Sequence, residues 1–156
     1  MAIEWITPKT DWSANYNAEG IFTGDFFNVT DYNRIKNNLL CLRELGKQLI
    51  YNLPDIVVGQ DKHYPDNENP DFDNDNFFAD EINAIEDGLQ MLDDYIGIFN
   101  HGTKQVFYEN GKFIDYNELN RIESAQLELY VNILNSIAAK PRLPIRLGTQ
   151  ASTIRI

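Results

Sequence analysis

The run Asp71-Phe-Asp73-Asn-Asp75-Asn76 sets side-chain oxygens at alternating positions, the spacing with which a calcium loop converges on a hard cation. The pattern then departs from such a loop. Counted from Asp71, position six is Asn76 where the tight turn needs Gly, and position twelve is Ile82 where a bidentate Glu is needed. Asp71, Asp73 and Asp75 are therefore weak metal candidates, and a solvated acidic loop is the simpler reading. The stretch Gly97-Ile-Phe-Asn-His-Gly102-Thr103-Lys104 carries the residue types of a phosphate-binding loop. In that loop, however, Lys follows the second Gly directly and a strand leads in. Here Thr103 intervenes and a helical pattern precedes, so Gly97 reads as a helix C-cap before a turn.

Nucleophilic catalysis needs a Ser, Cys or Thr beside a base and an orienting group. Cys41 falls between Leu40 and Leu42 in a helical stretch, where a small buried apolar residue is expected. His63 lies in acidic surroundings and His101 in a turn, and spacing gives neither a partner. One Cys and two His nearly exclude a zinc cage, and a lone Cys makes no intramolecular disulfide. The expectation is a non-enzymatic chain with no catalytic residue, no cofactor and no small-molecule substrate.

Over 156 residues, 43% are hydrophobic and 24% charged, enough to bury a core and form a single domain, 1–156. Thirteen Lys and Arg against 24 Asp and Glu leave a net charge of −11, which repels phosphate backbones and anionic headgroups. Neither nucleic acid nor a membrane is an expected partner. The N-terminus lacks a basic n-region with an apolar h-region, and no stretch approaches the ~18 apolar residues of a membrane span.

Three segments carry a helical period. Residues 30–52 place Ile35, Leu39, Leu42, Leu45 and Leu49 on one face; 80–97 place Ile82, Ile85, Leu89, Leu92 and Ile96 there. Residues 117–138 place Leu119, Ile122, Leu129, Ile133 and Ile137 on a stripe widened by Leu127, Tyr130 and Leu134. The remainder divides into an aromatic arm (1–29), an acidic Pro/Asn-rich loop (53–79), a β-prone segment (104–115) and a basic tail (141–156). In the β-prone segment, Asn110-Gly111 are the residues of a type I′ hairpin turn. In the tail, Ile154-Arg155-Ile156 alternate like an edge strand. The predicted fold is mainly α: a three-helix cluster with a small β-hairpin and a C-terminal strand.

The three helices begin alike. Thr30-Asp-Tyr-Asn33-Arg-Ile35, Asp80-Glu-Ile-Asn83-Ala-Ile85 and Asn117-Glu-Leu-Asn120-Arg-Ile122 share a capping type, an Asn three residues on, and an Ile two later. The pattern predicts a capping box, with Thr30, Asp80 and Asn117 as caps and Asn33, Asn83 and Asn120 reaching back. Between 61 and 81 there are eight acids and one Lys, whereas Lys140, Arg142, Arg146 and Arg155 make the tail +4. Trp5 and Trp12 anchor the arm, either over the helices or at an interface. With Arg142, Arg146 and Arg155 they form the candidate interface set, the tail of one subunit meeting the acidic loop or a sheet edge of another.

The pairing of Trp5-Ile-Thr-Pro8-Lys9-Thr10-Asp11-Trp12 with Asp31-Tyr32-Asn33-Arg34-Ile35-Lys36-Asn37-Asn38 resembles segments of tail and baseplate proteins from phages and prophages of Gram-positive bacteria. Asp115-Tyr-Asn-Glu-Leu-Asn120-Arg121-Ile122-Glu123 is similar to the same motif. In the first copy Lys36, and in the second Ala84, stand where the commoner forms carry Glu and Arg. The resemblance implies a virion structural protein, present in the host cytoplasm during assembly and then in the tail. Its expected partners are further copies of itself, as a homo-oligomer, and other phage tail proteins. A different class of reading is a small acidic phage protein acting as a DNA mimic that inhibits a host DNA-binding enzyme. That role needs carboxylates spread along a face at phosphate spacing, whereas here the excess charge is concentrated in one loop.

Overall fold

The periodic stripes become three helices: α1 (Val29–Gly46), α2 (Ala79–Tyr95) and α3 (Tyr116–Ala139). The structure, a computed structural model, describes residues 3–63 and 77–139. Ile35, Leu39 and Leu42 of α1, Ile82, Ile85, Leu89 and Leu92 of α2, and Leu119, Ile122, Leu129 and Ile133 of α3 share one core. Burying each such side chain contributes about 1.5–3 kcal/mol. Cys41 is buried, as its position predicts, but stands outside that shared core.

The helices run parallel. Leu39 of α1 meets Gly88 of α2, where a Cβ would lie 2.6 Å from Leu39 Cδ2, and Gly46 meets Ile96 about two turns further along both chains. Arg34 of α1 reaches Glu123 of α3 at 2.5 Å, and the Gln126 amide donates to the Ile35 carbonyl at 2.8 Å. Parallel helices need connections that travel back along their length, and the chain supplies these as extended segments lying in the grooves. Residues 53–62 run between α1 and α2, held by Arg43 at Leu53 and Pro54 and by Asn33 at Lys62. Residues 98–107 run from α3 to α2, held by Asn132 at Ile98 and Asn83 at Phe107. The N-terminal arm fills the groove between α1 and α3, held by Asn38 at Ile6 and Asn120 at Trp12.

The first helix is shorter than its apolar period predicts, ending at Gly46 rather than residue 52. The chain leaves it in tight turns, with Leu49 and Ile50 N–H both donating to the Gly46 carbonyl. Arg43 then pins the outgoing Leu53–Pro54 carbonyls. Gly97, at φ 66°, ends α2 as a left-handed C′ residue, as expected.

The predicted hairpin at 104–115 does not form; among the described residues there is no strand, only an isolated Tyr16–Phe22 bridge. A turn does close there, with Asn110 at φ 59° and Gly111 N–H donating to Tyr108, but Gly111 lacks the positive φ of a type I′ turn. The flanking backbone is engaged elsewhere. Phe107 is bonded to Asn83, and Asp115 caps α3 by accepting from Glu118 N–H at 3.0 Å. The predicted C-terminal strand lies outside the described residues.

Candidate functional site

The three helix starts are capped two residues earlier than the shared motif predicts. Asn28, not Thr30, accepts from the Thr30 and Asp31 amides, and the Asp31 carboxylate returns the bond to Asn28 N–H. At α2 the N-cap is Phe78, whose N–H donates to Glu81, rather than Asp80. At α3 the capping side chain is Asp115, not Asn117. Caps favour Asn, Asp and Ser, and an acid three residues on completes the box, so the acids Asp31, Glu81 and Glu118 mark the register.

The displaced Asn residues do something else. Asn33, Asn83 and Asn120 each turn away from their own helix and grip the backbone of an extended segment with both ends of the carboxamide. Asn33 accepts from Lys62 N–H at 2.8 Å and donates to its carbonyl at 2.7 Å. Asn83 does the same to Phe107, both at 2.8 Å. Asn120 does so to Trp12, at 2.8 and 2.9 Å. A fourth amide, Asn38, clamps Ile6 in the same way at 2.9 and 2.6 Å. A carboxamide offers one acceptor and two donors, so it satisfies a peptide unit that runs through apolar surroundings without a strand partner.

Three residues beyond each of Asn33, Asn83 and Asn120 stands a buried charge: Lys36, Glu86 and Glu123. One residue beyond it stands Arg34, Ala84 or Arg121. These positions interlock between helices. Arg34 of α1 pairs with Glu123 of α3, and Arg121 of α3 pairs with Glu86 of α2. By the same rule the third pair would join position 84 of α2 to position 36 of α1, and there Ala and Lys stand instead. Lys36 turns to Asp61 on the extended segment. The two departures from the commoner motif thus fall on the two ends of one missing pair.

Burial pushes the Glu86 carboxyl above its usual range, with Arg121 pulling the other way; Glu123 is raised likewise against Arg34. Both carboxylates are held inside the packed core, Glu123 also accepting from the Lys9 N–H. The buried imidazole of His101 sits with Nε2 3.3 Å from Asp93 Oδ2, a partner its spacing did not show, while His63 is exposed. The polar seam ties the three helices to one another in register. A hollow of about 430 Å³ lies at the start of α2, and five of its twelve lining residues are aromatic.

The tryptophans face inward. Trp12 is 5% exposed in the core, and Trp5 stacks on Tyr130 with ring centroids 4.1 Å apart and planes within 5°. Both cover this chain's own helices, the first of the two placements expected of them. Among the described residues no group of three or more His, Cys, Asp or Glu could hold a metal; Asp71, Asp73 and Asp75 lie outside them, as do Arg142, Arg146 and Arg155. No described helix is long and apolar enough to cross a membrane.

Sequence reasoning found the Asn-Arg-Ile positions but missed what they grip. The signal was present in the shared spacing of Asn with the charge three residues on; the partners, up to 108 residues away, carry no local mark. The arrangement defines a class: a parallel three-helix cluster with extended segments seated in its grooves. Comparison with known protein families, curated proteins and solved structures finds no match.

Proposed function

We propose that this chain is a non-enzymatic structural protein of a phage or prophage tail or baseplate, working through self-assembly and contacts with other tail components. The observation that carries this reading is where the motif shared with such proteins falls. Its Asn and Arg residues are consumed in clamps on extended segments and in interhelical ion pairs, the work of a rigid building block. Exposed apolar side chains support an assembling surface: Tyr51, Val57, Phe26 and Tyr108 are each more than two-thirds exposed. The test is to purify tail particles from the producing cells and probe them for this chain by antibody and mass spectrometry. Stoichiometric recovery with the particles is expected. A chain that stays in the soluble fraction as a free protomer would overturn the reading.

A further inference from the structure

We infer that the aromatic groove at the start of α2 receives the Pro141–Pro144 segment of a second copy, joining copies head to tail. The inference rests on the self-assembly proposed above and names the surfaces that carry it.

The groove encloses about 430 Å³ between the first turn of α2 and the turn before α3, walled by Phe77, Phe78, Phe107, Tyr108 and Phe113. Phe78, Tyr108 and Phe113 are 45%, 71% and 55% exposed, an apolar surface that no described part of the chain covers. Of the groove's charged lining residues, Glu109 is exposed and Lys112 is engaged by Asp115 at 2.7 Å, and the exposed Asp80 follows the lining residue Ala79 in α2. An aromatic-walled groove with acidic neighbours fits an extended, proline-bearing, basic peptide, which binds at low entropic cost. The chain's own sequence holds a proline-bearing basic stretch in Pro141-Arg142-Leu143-Pro144, followed by Arg146. The tail carries no acid and is +4 counting Lys140, so charge complements the groove.

Geometry assigns this segment to a neighbour. Ile114 lines the groove two residues before α3 begins, and Pro141 follows two residues after α3 ends. Between them stands a helix of 24 residues, about 36 Å long at 1.5 Å per residue. The five residues from Lys140 to Pro144 span at most about 18 Å. The segment cannot reach its own groove, and all three channels along the bundle already hold extended segments. The last described turn of α3 lies at the pole opposite the groove, where an end-on neighbour would present its own groove. Such a contact is heterologous and propagates from copy to copy.

The test uses two variants of the full chain: Arg142→Glu with Pro144→Ala on the tail side, and Tyr108→Ala with Phe113→Ala on the groove side. Far-UV circular dichroism and urea midpoints confirm that each folds as the parent does. Light scattering should show a parent mass that rises with concentration, while each variant alone stays at the 18.0-kDa chain mass. Mixing the two should yield a species of twice that mass and nothing larger, because one intact tail meets one intact groove. Variants that still associate like the parent would overturn the groove contact and leave self-assembly standing on another surface. An inert mixture would overturn the head-to-tail pairing. A parent that is monomeric at every concentration would overturn the contact, and absence from tail particles would separately overturn the proposed function.

Discussion

Asn83 and Phe107, 24 residues apart, are joined through both backbone polar groups of Phe107: Asn83 Oδ1 accepts from Phe107 N–H and Nδ2 donates to its carbonyl, each at 2.8 Å. This one amide holds the Phe107 ring in the core and keeps its backbone from pairing as a hairpin. Asn83→Ala would leave both backbone groups unsatisfied beside apolar neighbours. The expected loss is about 1–3 kcal/mol in urea unfolding. Asn83→Asp should lose nearly as much, because a carboxylate cannot donate to the carbonyl. In both variants amide exchange should accelerate first between residues 105 and 109.

The missing third ion pair gives a test of the interlocking scheme. Lys36→Glu places a carboxylate in a buried position against Asp61, which Lys36 now neutralises. An uncompensated charge there should cost about 3–5 kcal/mol. Adding Ala84→Arg to that variant should recover about 1–3 kcal/mol as coupling in a double-mutant cycle. Additive effects would mean that positions 36 and 84 do not correspond to the 123–34 and 86–121 pairs.

The helices were legible because their stripes are local: Ile82, Ile85, Leu89 and Leu92 recur at helical spacing, and all four are buried. What each Asn grips was not legible. An Asn near a helix start serves equally as a cap or as a clamp, and the choice depends on a peptide unit far along the chain. The same competition explains Asn110-Gly111, where the residues suit a hairpin but the neighbouring backbone is held by Asn83. The end of α1 was overextended because Leu49 continues the apolar period through turns that still pack against the core. The inward placement of Trp12 follows from Asn120, which no count of aromatic residues reveals.

The arm should dock as a unit fixed at two rings. Trp12 is 5% exposed and its backbone is clamped, so Trp12→Ala should cost about 3–5 kcal/mol. Trp5 lies over Tyr130 at the surface of α3, and losing that stack should cost about 0.5–1.5 kcal/mol beyond the area it covers. Tryptophan fluorescence and urea midpoints separate the two. Equal losses would contradict the inward anchoring of Trp12.

Buried and exposed carboxylates pull the pH dependence in opposite directions. Asp61 and Asp115 are held below 3.8 by hydrogen bonds from Lys36 and Lys112, so the stability they contribute is lost as pH falls through their native values. Glu86 and Glu123 are raised above 4.5 by burial, so the folded state takes up protons that the unfolded chain releases. Their contribution is full below 4.5 and declines as pH rises through the native values. In the parent, the urea midpoint should therefore fall as pH rises from 4.5 through the native values of Glu86 and Glu123. Glu86→Gln keeps the shape of the side chain and an acceptor for Arg121, but it cannot titrate. Its midpoint should depend less on pH across that window, while the acid limb set by Asp61 and Asp115 stays unchanged. Parallel profiles for the parent and Glu86→Gln would show that Glu86 is ionised throughout, with Arg121 outweighing its burial.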